Sequence, residues 1–348
     1  MSGQQDVADL LADQLDRLLA KHVDREALAV IEGGTFPAAL WKQVDDLGAR
    51  SALVPESADG AGLAWRDAEV VMRVLGRHAS PVPLGETMIG AALLAAAGLA
   101  VPEGPLAIVA APLTLDAEDR LSGTDSPVAW APVATWLIVA AERAGRRFVC
   151  LVDREDVGLA PVKTYGRTPS AAVRFDAVRA VALAPAGRYV DPLCALATLR
   201  SVQIAGSLEA VLPLCVEYAN VRQQFGKPIG KFQAIQQLLA ELAMQTAAAQ
   251  VAGMYGCRRI DSGAGWEGVA IAKIRAGAAA TSGAAAAHQI FGAIGVTDEH
   301  QLHQHTRRLW QWRSEAGSEL LWAEKLGAST LAARGASLWP SLVDRPRW

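Results

Sequence analysis

"YANVRQQFGKPIGKFQ", residues 218–233, lies between two amphipathic segments. Before it, Leu208, Leu212, Cys215, Val216 and Ala219 recur at helical spacing. After it, Phe232, Ile235, Leu238, Leu239, Leu242 and Thr246 do the same. Gly226, Pro228 and Gly230 supply the turn, so two antiparallel helices are predicted. The turn does not account for Arg222 and Phe225. A guanidinium beside an exposed ring can hold a phosphate through paired hydrogen bonds and stack on an adenine. A surface salt bridge is the plain alternative.

Working outward, the helical pattern fills 195–221, 232–262, 265–290 and 299–332. Val7, Leu10, Leu11, Leu15, Leu18 and Leu19 mark a first helix, Phe36 to Leu47 a second ended by Gly48, and Ala68–Leu75 and Gly85–Leu99 two more. Between Leu106 and about Ala184 the texture changes to short β-prone runs: LAIVAAPLTL, VATWLIVAA, RFVCLVD and AAVRF. The expected organisation is a helical domain over 1–104, a small β domain over 105–190 and a helical bundle over 191–348, ending in a tail that carries Pro340 and Pro346.

The 348 residues are 51% hydrophobic with a net charge of −3, ample for a large core and without a nucleic-acid footprint. Cys150, Cys194, Cys215 and Cys257 are scattered with no CxxC, which argues against a metal or disulfide framework; Cys150 is expected to be buried and inert. The start lacks a signal-peptide pattern, so a cytoplasmic setting is expected. The apolar stretch Ile89–Leu115 is broken by Pro102, Pro105 and Pro112 and reads as a buried helix and strand, not a membrane span.

A second constellation, "HQIFGAIGVTDEHQLHQHTRRLW" (288–310), places Gln289, Gly292 and Gly295 in a turn where a ligand can approach the backbone. Together, RQQFGKPIGKFQAIQQ (222–237) and QIFGAIG (289–295) resemble the C-terminal signature of acyl-CoA dehydrogenases, R-x-x-F-G…FQ…Q-x-x-G-G-x-G. LWKQVDDLGARSALVPESADGAG (40–62) is similar to the N-terminal W-x-x-L-x-x-x-G…VPE-x-x-G-G-x-G. The resemblance implies a mainly helical fold with a small β domain between an N-terminal helical domain and a C-terminal four-helix bundle. It implies FAD as cofactor and an acyl-CoA substrate dehydrogenated between its α and β carbons. It implies that Arg222 meets the flavin pyrophosphate and Phe225 the adenine region, while Gln289, Gly292 and Gly295 wrap the same ADP, the rest of the flavin lying in a neighbouring subunit. Electron-transfer flavoprotein is the family's electron acceptor.

The chain departs from that pattern at three places. Aligned without gaps from Gln289, Glu299 and Arg307 fall on family residues and Gly317-Ser318 on the G-T that follows the catalytic base, but the base position holds Ala316. Glu315 is one residue early, about 100° away on a helix, and is expected to point elsewhere unless the backbone shifts. The alternative base slot holds Leu196 and its companion arginine Ala197; Arg200, nearly a turn later, is a loose substitute for contact with substrate. In the middle domain, AIVAAPLTLDAEDRLSG (107–123) lacks the glycine-rich acidic loop T-E-P-G-A-G-S-D that grips the flavin ring. Loss of a general base costs about 10²–10⁴ in rate.

The chain therefore resembles the short, degenerate subunits of heterotetrameric acyl-CoA dehydrogenases of steroid degradation, a likeness carried also by residues 299–319. That implies an α2β2 assembly with a related partner chain supplying the base, and a bulky substrate. A self-sufficient homotetramer using Glu315 or Glu319, and a non-catalytic stabilising subunit, are the alternatives. His300, His303 and His305 are read as surface or interface residues, not metal ligands. Trp310, Trp312 and Trp322 are read as core or interface, and Asp298-Glu299 as a helix cap in which Glu299 also orients the ADP turn.

Overall fold

The computed structural model describes residues 3–186, 191–263 and 265–332. The proposed tail around Pro340 and Pro346, and the second proposed domain boundary at 190, lie outside them. The chain begins with α1 (Gly3–His22), α2 (Arg25–Glu32), α3 (Ala38–Asp46), α4 (Trp65–Arg77) and α5 (Leu84–Ala96). The strands follow: β1 (Leu106–Leu115), β2 (Arg120–Ala129), β3 (Trp136–Arg143), β4 (Arg146–Asp153), β5 (Gly158–Pro161), β6 (Ser170–Arg179) and β7 (Ala182–Pro185). They form one sheet in the order β5-β6-β2-β1-β3-β4-β7, antiparallel except for β1 with β3. A bundle of α6 (Pro192–Val221), α7 (Gln233–Asp261), α8 (Glu267–Phe291), α9 (Leu302–Ser314) and α10 (Glu319–Ala332) completes the chain.

The bundle's central helix is α6. Asp191 starts it, its carboxylate accepting from Leu193 N at 2.9 Å, with Pro192 in the first turn where no N–H is needed. Its residues from Ala195 to Leu208 are all buried. That helix is long and apolar enough to cross a membrane, but 67% of its apolar window is buried inside the protein, as a bundle core requires. Two glycines weld it to the N-terminal helices. A Cβ on Gly206 would lie 2.0 Å from the Arg73 carbonyl oxygen, and one on Gly76 would lie 2.1 Å from that of Gln203. Only glycine allows α4 and α6 to cross so closely.

Three expectations need correction. Residues 299–332 are not one helix: α9 stops at Ser314, and Ala316 (φ +54°) and Gly317 (φ +91°) turn the chain before α10. Asp298 and Glu299 cap no helix; α9 opens after Gln301, while Asp298 pairs with His303 at 3.2 Å and its carbonyl accepts from Arg25. His303 and His305 are buried rather than superficial. His305 lies 3.1 Å from Ser207 Oγ, and burial holds its imidazole down at about 3. Trp312 and Trp322 are core residues, whereas Trp310 is 38% exposed. The four cysteines are free and buried, and burial pushes the thiols of Cys150, Cys194 and Cys215 up to about 12.

Candidate functional site

A cleft of about 390 Å³ opens where β1 and β2 face α6 and the α9–α10 turn. At its back lies Arg200, 3% exposed, with all three nitrogens engaged. Nε donates to Glu315 Oε2 at 2.5 Å, Nη2 to Glu86 Oε1 at 2.5 Å and Nη1 to Gln203 Oε1 at 2.6 Å. Burial works against the guanidinium's charge, but the Glu315 and Glu86 carboxylates outweigh it and raise its pKa. Arg200, proposed from sequence as a contact for substrate, is thus committed to protein partners.

Glu315 reaches this position because it is not helical. It caps α9 with φ −66° and ψ +147°, so the 100° rotation that would turn it away does not apply. Gln311 Nε2 donates to its other oxygen at 2.7 Å. Behind the turn, Lys273 of α8 is fully buried and donates to the carbonyls of Arg313 (2.7 Å) and Gly317 (2.9 Å). Burial pushes its ammonium down to about 7 against the pull of Glu319 and Glu315. Trp322 Nε1 donates to the Ala316 carbonyl at 2.9 Å. Glu319, the other candidate base, pairs instead with Arg313 at 2.9 Å. Ala316 and Gly317 line the cleft beside Glu315.

Where the glycine-rich loop was expected, β1 carries a register shift between Val109 and Leu113. The bulge amides of Ala110 and Ala111 both donate to Asp125 Oδ2, at 2.9 and 3.1 Å. An anionic oxygen of this chain therefore occupies the two donors that the bulge could present to a flavin ring, and that half of the cofactor fits this cleft poorly.

The opposite end of the bundle fits an ADP group better. Arg222 ends α6, its N–H bonded to the Tyr218 carbonyl. Gln223 and Gln224 then pair with Pro228 and Lys227 in a two-residue hairpin. Its tip is Phe225-Gly226, with φ of +51° and +78°, the left-handed pair that a tight hairpin demands. Phe225 is 92% exposed and meets Phe232 edge-on at 6.1 Å. The Arg222 side chain is exposed and enters no ion pair among the described residues. Tyr218 stacks on Phe291 at 4.3 Å, bringing this hairpin to the same end of the bundle as the turn after α8. There Gln289 and Gly292 are exposed, and a Cβ on Gly292 (φ +64°) would meet nothing within 4 Å. Gly295 is buried, and a Cβ there would crowd Phe291 at 2.9 Å. A cation unpaired among the described residues, an exposed ring, an amide and open backbone thus share one surface. Of the other residues aligned with the family, Glu299 is exposed, and Arg307 pairs with Glu32 at 2.6 Å.

Sequence reasoning missed Glu86, Gln203, Gln311, Asp125 and Lys273. Glu86 and Lys273 carried a signal: Glu86 is the one charge in LGETMIGAALLAA (84–96), and Lys273 is one of only two Lys or Arg residues within an alanine- and glycine-rich helix. The glutamines and Asp125 carried none.

Residues 5–100 match the acyl-CoA dehydrogenase N-terminal domain, and residues 197–319 match the acyl-CoA dehydrogenase C-terminal domain. The acyl-CoA dehydrogenase IpdE2 of Mycobacterium tuberculosis (strain ATCC 25618 / H37Rv) is 30% identical over 306 residues, covering 86% of this chain and 89% of that protein. Among solved structures, a variant of the Tcur3481-Tcur3483 steroid ACAD superposes with a TM-score of 0.85 at 25% identity, covering 96% of this chain and 99% of that one. The ChsE4-ChsE5 complex from Mycobacterium tuberculosis shares the fold, with a TM-score of 0.82 at 23% identity over 95% of this chain and 98% of that one.

Proposed function

This chain belongs to the acyl-CoA dehydrogenase family of FAD-dependent oxidoreductases, and from that premise we propose that it is one subunit of a hetero-oligomeric enzyme acting on a bulky, steroid-like acyl-CoA. Bound FAD supplies the hydride acceptor at the β carbon of the thioester. The part played by this chain is to hold the ADP end of a flavin whose ring lies in a related partner subunit. Arg222 pairs with the diphosphate, Phe225 covers the adenine region, and Gln289 with the backbone at Gly292 and Gly295 encloses the same group. The partner contributes the proton-abstracting carboxylate; two such pairs make an α2β2 assembly, reoxidised by an electron-transfer flavoprotein in the cytoplasm.

The observation that carries this reading is Phe225: a large ring, almost fully exposed, held at a left-handed φ beside an exposed arginine that enters no ion pair among the described residues. The hairpin itself requires the left-handed φ; what points to a ligand is that a large exposed ring, and not the Asn or Gly such a turn favours, sits on its tip. The relatives lend support, since two of the solved assemblies are described by paired chain names and one as a steroid enzyme. The deciding experiment is co-expression and co-purification with a candidate related acyl-CoA dehydrogenase chain, followed by flavin-to-protein stoichiometry. A colourless chain that turns yellow only with its partner supports the proposal. A chain that alone binds flavin one-to-one and bleaches it with acyl-CoA overturns it.

One observation favours a second reading, the self-sufficient dehydrogenase. Glu315 does face the cleft, one residue before the usual base position, with its carboxylate oriented by Arg200 and Gln311. Both of its oxygens, however, accept hydrogen bonds from the protein, so proton abstraction would require it to leave or share these partners. Yellow preparations without turnover in any pairing would instead point to a stabilising subunit.

A further inference from the structure

Lys273 is fully buried in α8, yet it forms no ion pair among the described residues. The acidic groups that act on it, Glu319 and Glu315, are bound to Arg313 and Arg200. An ammonium buried in this way is costly, and a methionine would fill the same space cheaply. Its two hydrogen bonds go to the carbonyls of Arg313 and Gly317, two residues before and two after Glu315. These carbonyls are freed only because α9 stops and the chain turns through Ala316 (φ +54°) and Gly317 (φ +91°). The sequence from 299 to 332 reads as helical apart from Gly317-Ser318, so a continuous helix is the competing conformation. In that conformer both carbonyls would return to the helix ladder, and Glu315 would rotate off Arg200.

We infer that Lys273 is a positioning residue for the acyl-CoA cleft: from inside the bundle it holds residues 313–317 out of helix and so sets Glu315 on Arg200. It touches neither reacting atom. It acts through the shape of the wall, which Gln311, Ser314, Glu315, Ala316 and Gly317 present to the ligand. The inference rests on the second reading above, in which this chain's own cleft takes the acyl thioester.

The test uses the full chain, alone and with its partner, as wild type, Lys273→Met and Lys273→Arg. Amide hydrogen exchange across 313–318 is read without flavin or substrate. The methionine variant should exchange there at least about tenfold faster, because two charge-assisted bonds to the turn are gone. Under that reading its KM for acyl-CoA should rise about tenfold while flavin content is retained, since the ADP contacts lie at the other end of the bundle. The arginine variant, which keeps a cation with several donors, should recover much of both effects. Unchanged exchange in the methionine variant overturns the inference, as does faster exchange with unaltered KM. If the methionine variant does not fold, Lys273→Gln, which retains two uncharged donors, is read in the same way. Should the wild-type chain alone show no acyl-CoA turnover, that reading falls while the exchange result on this turn stands.

Discussion

Arg200 and Glu315, 115 residues apart in sequence, meet at 2.5 Å at the back of the cleft, with Glu86 on the far side of the same guanidinium. One cation thus ties α5, α6 and the α9–α10 turn together. The sum of the three formal charges is −1, so the cleft's rear wall is acidic although its centre is an arginine.

Removing either kind of partner should have unequal effects. Glu315→Gln keeps an acceptor for Arg200, and under the two-chain reading turnover of the complex should stay within a few-fold of wild type. Complete loss of turnover would make Glu315 the base. Arg200→Met leaves Glu86 and Glu315 buried without their cation and should cost about 3–5 kcal/mol of stability, measured by denaturant unfolding.

Arg222→Ala should strip flavin from the complex. A charge-assisted bond to a diphosphate is worth roughly 1.5–3 kcal/mol, or about a 10- to 150-fold loss in affinity. Because the side chain is exposed and enters no ion pair among the described residues, thermal stability of the flavin-free chain should not move. Unchanged flavin content would count against the whole ADP assignment.

Phe225→Gly should split two properties that usually move together. Glycine relieves the left-handed strain at this position and should stabilise the flavin-free chain by up to about 1 kcal/mol. The same change removes the ring and should weaken flavin binding. Paired melts and flavin titrations read the two signs; a fall in stability would show that Phe225 serves the hairpin.

Lys273 should leave a mark on the pH dependence of stability. Its folded pKa, about 7, lies below the ordinary 10.5, so between these values the unfolded chain binds more protons. Its contribution therefore makes stability rise with pH across that window, by at most about 1.4 kcal/mol per pH unit, and flatten beyond each end. Urea midpoints at pH 7 and 9.5 should differ more for wild type than for Lys273→Met.

Much of the fold was legible because its signals are local. Periodicity found α4, α5 and the long helices, and the β-prone runs fell on β1, β3, β4 and β6. What escaped notice was decided by contacts between distant segments. Within 299–332 only Gly317 hints at the break after Ser314, while the hold that Lys273, some forty residues earlier, keeps on that turn has no local signal. His303 and His305 read as superficial because polar side chains usually are; their burial follows from how α9 packs. In the cleft, Glu86 could have been flagged as a carboxylate stranded in an apolar helix. The pairing of Asp125 with the Ala110 and Ala111 amides could not, since it depends on strand register.

The buried cysteines carry a practical consequence. A thiol with a pKa near 12 is ionised in only about one molecule in 10⁵ at neutral pH, and alkylating reagents attack the ionised form. Cys150 lies in the sheet, while Cys194, Cys215 and Cys257 lie along the bundle. Tagging at each sulfur should then wait for its own region to open, so a timed mass-spectrometric readout gives four native clocks of unfolding without an engineered label.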